Sequence, residues 1–112
     1  MICVTVFTDS DSRYVGIQMI GHAGLAENPA EGQELVCSAV SALTINMANS
    51  IERFTEDEFQ TDTDEKEGGF TFRFTSHISA ESMLLMNSLV SGLMDIEEEY
   101  GEPYIRIRIE EV

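Results

Sequence analysis

Residues able to carry out nucleophilic chemistry cluster in the segment GHAGLAENPAEGQELVCSAVSAL, from Gly21 to Leu43. It holds His22, one of two histidines, and Cys37, one of two cysteines. A thiol attacks as its thiolate, a form favoured by a neighbouring imidazole or a helix N-terminus. An apolar helical pattern begins at Cys37, so the cysteine is expected in the first turn of a helix. Unpaired N–H groups there carry partial positive charge and can stabilise an oxyanion. His22 closes a strand-like run, and a loop rich in Gly, Asn and Pro returns from it to the helix start. The pair can therefore serve acyl transfer. The same residues also read as packing: a cysteine beside Val36 and Val40 is ordinary core, and a strand-end histidine is often satisfied by a backbone bond. Type and spacing leave both readings open. Ser41 lies one helical turn after Cys37 on the same face. Glu34, one turn before it, can orient His22 or hold a basic substrate. Its charge also opposes thiolate formation, and its ordinary reading is an acid favouring the helix dipole.

The elements that must position these residues follow from periodicity. Ile2, Val4 and Val6 alternate with Cys3, Thr5 and Phe7, which predicts a strand over 2–7. After the turn TDSDSR a second strand runs from Tyr14 to Ile20, with Val15, Ile17 and Met19 on one face, giving a β-hairpin. Val36, Val40, Leu43, Met47, Ile51 and Phe54 recur every three or four residues and predict a helix from about Glu34 to Phe54. Phe70, Phe72 and Phe74 mark a strand. The acidic half before the Gly68-Gly69 turn reads as an edge strand protected by its charges. Ser79 is an N-cap for a second helix, with Met86, Leu89, Leu93, Ile96 and Tyr100 as its apolar stripe. A last strand has Ile105, Ile107 and Ile109 on one face. Arg106 and Arg108 lie on the other, where acidic neighbours are their expected partners. The class is α+β: a single domain of order β-β-α-β-β-α-β, with a mixed, mostly antiparallel sheet packed with two helices.

Bulk properties narrow the function. The 112 residues fit one domain with one core. A net charge of −15 repels nucleic acid and attracts basic proteins. The acidic runs Asp62–Glu67 and Asp95–Glu99 read as solvated surface. No apolar run is long enough to span a membrane, and Met1 leads straight into ICVTVF with no basic flank. A cytoplasmic location with both cysteines reduced is expected. Cys3, Cys37, His22 and His77 lack zinc-binding spacing, so no metal and no cofactor are expected.

The local contexts of His22 and Cys37 add to this. Gly21, His22 and Ala23 after a strand, then Gly32, Glu34, Val36, Cys37, Ala39, Val40 and Ser41, resemble the ribosomal-processing cysteine protease (Prp) family, and the resemblance extends over the whole chain. It implies a dimeric cysteine endopeptidase that removes a short N-terminal extension from ribosomal large-subunit protein L-twenty-seven. His22 would be the base and Cys37 the nucleophile, with Gly21, Gly32, Glu34 and Ser41 in support. The loop containing Gly24 and Gly32 would be a flap over the peptide. The chain departs from the family pattern at Glu34, where Asp is usual, and in a longer loop carrying Asn28-Pro29. The competing class is a non-catalytic acidic dimeric module that binds a basic ribosomal protein.

Overall fold

The computed structural model describes residues 1–21, 32–64, 66 and 68–112. His22, Ala23, Gly24 and the Asn28-Pro29 piece, with the flap expected there, lie outside the described residues.

Among the described residues the elements are β1 (Ile2–Thr8), β2 (Tyr14–Ile20), α1 (Gln33–Phe54), β3 (Phe59–Asp64), β4 (Gly69–Phe74), α2 (Ala80–Tyr100) and β5 (Ile105–Glu111). This is the expected α+β order. The strands form one sheet in the order β3-β4-β2-β1-β5. Three pairings are antiparallel, and β1–β5 is parallel, with Ile2 opposite Ile105. The edge position expected for the acidic strand belongs to β3.

One face of the sheet carries the core. Ile2, Val4 and Val6 of β1, Ile17 and Met19 of β2, Phe72 of β4 and Ile105 of β5 are all buried. They meet Val36, Val40, Met47 and Ile51 of α1 and Met86, Leu89 and Leu93 of α2 in a single cluster. Phe72 is sandwiched between Phe59 (ring centroids 4.8 Å apart) and Phe74 (5.0 Å, edge-on). Both helices therefore cover the same face. The opposite face stays polar and carries Cys3, Gln18, Thr71, Arg73 and Arg106.

The helix stripes differ from expectation at their margins. Leu43 lies near the α1–α2 seam, where a Cβ added to Gly92 would stand 3.2 Å from its Cδ1, and it keeps 37% exposure. Phe54 ends α1 and is 75% exposed. Tyr100 ends α2 and Ile109 lies near the end of β5; both are exposed. In the polar gaps of the α1 stripe, Gln33, Thr44 and Ser50 are buried. The Thr44 hydroxyl is accommodated because it donates back to the Val40 carbonyl at 2.8 Å. The acidic run in α2 is more than solvated surface. Glu97 accepts the Ile107 N–H at 2.6 Å and so covers part of the β5 edge. Arg106 pairs with Glu102 and Arg108 with Glu110, as expected for that face.

Ser79 caps α2, its hydroxyl accepting from the Ser82 N–H at 3.2 Å. The carboxylate of Asp57, in the α1–β3 connection, reinforces the cap. Asp57 Oδ2 accepts from the Ser79 N–H at 2.8 Å, from the Ser79 hydroxyl at 2.6 Å and from the Ser82 hydroxyl.

Candidate active site

Gly21 follows the last residue of β2 with φ +80, a left-handed conformation that glycine adopts without strain. A Cβ at this position would lie 2.5 Å from the Met1 carbonyl oxygen, so a side chain is also excluded by contact. One residue further on, the Ile2 N–H donates to the Tyr104 carbonyl at 2.8 Å. The Tyr104 ring in turn lies over Gly32, with its hydroxyl oxygen 3.6 Å from the Cβ position. Gly32, at φ 88, opens α1 without a side-chain cap. Met1, Ile2 and Tyr104 thus bridge Gly21 and Gly32, the described residues that flank His22 and the following loop. The end of β2 and the start of α1 are brought to one end of the sheet.

Cys37 projects from that helix start. It is 5% exposed and is a free thiol. The helix begins one residue earlier than expected, so Cys37 is its fifth residue. Its own N–H lies beyond the first four groups that lack an intrahelical acceptor. Gly32 accepts the Val36 N–H at 3.2 Å, so that group too is committed. Sulfur instead receives a side-chain donor: Gln33 Nε2 lies 3.4 Å from Cys37 Sγ. Gln33 is 7% exposed, and one helical turn separates it from Cys37 on the same face.

Of the expected supporting residues, Gly21 and Gly32 hold the two ends described above. Glu34 is in the first turn of α1 and exposed, which matches its reading as a dipole-favouring acid. Ser41 is half-buried, one turn beyond Cys37. Gln33 and Tyr104 were not anticipated. With the helix start set at Glu34, Gln33 fell in the loop, although its i−4 spacing from Cys37 was available as a signal. Cys3 is exposed on the opposite face of the sheet and is not joined to Cys37. Among the described residues no group of three or more His, Cys, Asp or Glu is arranged to hold a metal. No helix there is long and apolar enough to cross a membrane.

A cleft of about 680 Å³ opens beside Ile20, the residue before Gly21. Asp62, Asp64, Lys66 and Phe70 line it, and Cys37 does not.

The structure thus presents a free, buried cysteine at a helix start, beside the end of a strand, on a small α+β sheet. Residues 1–106 match the family model described as Cysteine protease Prp, and the chain belongs to that family. It is 31% identical over 106 residues to the ribosomal processing cysteine protease Prp of Bacillus subtilis (strain 168), covering 91% of this chain and 92% of the relative. It is 28% identical over 102 residues to the protein of the same name from Staphylococcus aureus (strain Mu50), covering 91% and 93%. The crystal structure of an essential ribosomal processing protease Prp from S. aureus with a substrate peptide superposes with TM-score 0.88 at 26% identity, covering 98% of this chain and all of that one. The S. aureus enzyme with a covalently linked product peptide gives 0.84 at 27% identity, with the same coverage.

Proposed function

We propose that residues 1–112 form a single cysteine endopeptidase domain that removes the N-terminal extension of ribosomal protein L-twenty-seven, with Cys37 as nucleophile and His22 as base. The reading rests on one observation above all: a buried thiol at the start of α1, with an amide donor on its sulfur, at the end of the sheet to which Gly21 leads. His22 takes the thiol proton, and Cys37 Sγ attacks the scissile carbonyl carbon. A C–S bond forms and the carbonyl π pair moves to oxygen. Collapse of this intermediate breaks the C–N bond, and the leaving amine takes its proton from His22. Water, deprotonated by His22, then releases the acyl group and frees the thiol.

The substrate class follows from charge. The net charge of −15 suits a basic ribosomal peptide. The enzyme acts in the cytoplasm as a homodimer, without cofactor. The test is mass measurement of the organism's own L-twenty-seven protein before and after incubation. Wild type should shorten it and Cys37→Ala should not; cleavage by Cys37→Ala would refute the assignment. The acidity also favours a second reading, a non-catalytic acidic dimer that holds a basic ribosomal protein. That reading requires a salt-sensitive complex with intact substrate at long times.

A further inference from the structure

We infer that the side-chain amide of Gln33 is the oxyanion donor of the active site, an inference that rests on Cys37 being the nucleophile. The argument starts from a mismatch in the resting protein. A carboxamide N–H is a strong donor, whereas sulfur is a weak acceptor. Gln33 is nonetheless 7% exposed in the first turn of α1, and its Nε2 is directed at Cys37 Sγ from 3.4 Å. Burying an amide against a poor acceptor costs stability. A donor held against a poor acceptor is poised to lower the barrier if a better acceptor arises at the same place during reaction.

Attack by Cys37 creates one. When the C–S bond forms, the carbonyl pair becomes an oxyanion on the carbon now bonded to sulfur. That oxygen lies within reach of a donor already resting on Sγ. A donor roughly 3 Å from the position of the oxyanion is the geometry such stabilisation requires. The hydrogen bond then strengthens from ground state to transition state, which is the condition for raising kcat. Backbone alternatives are restricted. Cys37 is the fifth residue of α1, so its N–H lies within the helix ladder, and the Val36 N–H is bonded to Gly32. The side chain at position 33 supplies what the backbone beside the nucleophile does not.

The test separates stabilising the oxyanion from acting on the thiol. Alkylation by iodoacetamide displaces iodide at a saturated carbon and forms no oxyanion. Gln33→Met keeps the length of the side chain and removes the donor. In that variant kcat for the substrate peptide should fall on the order of 100-fold or more, while KM and the alkylation rate of Cys37 stay within about threefold of wild type. Gln33→Asn keeps the amide on a shorter stem and should recover part of kcat. An alkylation rate that falls in parallel with kcat would overturn the inference, because Gln33 would then be acting on the sulfur itself. So would a kcat within about fivefold of wild type. Thermal melting of both variants identifies a fold defect, and Gln33→Leu, uncharged and likewise without the donor, should reproduce the loss if Gln33→Met unfolds. Cleavage that persists in Gln33→Met but is lost in Cys37→Ala removes this inference alone. Cleavage that persists in Cys37→Ala removes the proposed function as well.

Discussion

Replacing Gly21 by alanine tests whether the end of β2 is as tightly constrained as its geometry indicates. Two costs add. At φ +80 an L-residue with a side chain is strained by about 1–2 kcal/mol. The new methyl would also stand 2.5 Å from the Met1 carbonyl oxygen, where real Cβ contacts stay above 3.0 Å, so something must yield by at least 0.5 Å. The contacting atom is backbone. It adjoins Ile2, whose N–H is bonded to Tyr104 and whose Cα pairs with Ile105, so the first residues of β1 cannot shift without disturbing β5. Overpacking of this kind costs about 1–3 kcal/mol. The sum is about 2–5 kcal/mol, a fall in Tm of roughly 10–25 °C for a domain of this size. Scanning calorimetry of Gly21→Ala against wild type measures it. Gly69→Ala is the control: its Cβ would meet the Asp64 side chain at 3.4 Å and its φ is not positive, so its Tm should move little. Below its Tm, Gly21→Ala should still cleave substrate at least tenfold more slowly, because displacement at this end misplaces the group that follows. A Tm within 2 °C of wild type, taken here as roughly 0.5 kcal/mol, would refute the reasoning.

Two further outcomes are expected. Asp57→Ala should destabilise by about 1–3 kcal/mol in urea titration, because it removes the acceptor for the fully buried Ser82 hydroxyl and weakens the α2 cap. Hydrogen bonds from Ser79 and Ser82 hold the Asp57 carboxyl below the usual 3.8, so the wild-type advantage is full above that pH and narrows as pH falls below it. An advantage that grows in acid would contradict this assignment. Phe72→Ala, at 0% exposure between two other rings, should cost about 3–5 kcal/mol by the same titration; a loss under 1 kcal/mol would mean that the ring cluster contributes little.

The strands were legible because alternation is local. β2 has its expected limits, and Ile2, Val4, Val6, Ile17, Met19 and Phe72 all face the core. The pairing of β1 with β5 was not, since nothing near Ile2 specifies a parallel partner about a hundred residues away. The helix stripes were readable at their centres. At Leu43, Phe54 and Tyr100 exposure depends on where the neighbouring helix and the sheet run out, which periodicity does not encode. Apolar counting also hid Gln33. A glutamine at a helix start reads as surface, and its burial depends on what the fold places over it. Cys37 was visible as a candidate through its neighbours. The donor on its sulfur became visible only with the helix start fixed at Gln33 rather than Glu34.

The parallel pairing of β1 with β5 has a consequence in time. Tyr104 and Ile105 fasten the end of the sheet where Gly21 and Gly32 meet, yet they follow Ile2 in the chain by about a hundred residues. Until they emerge, Ile2 has no strand on that side and Gly32 has no ring against it. Closing so long a loop is also slow relative to forming hairpins and helices. The topology acts as a timer: the β1–β2 hairpin and the first helix can form early, but the end of the sheet that holds Gly21 and Gly32 is fastened only once β5 has followed α2 out.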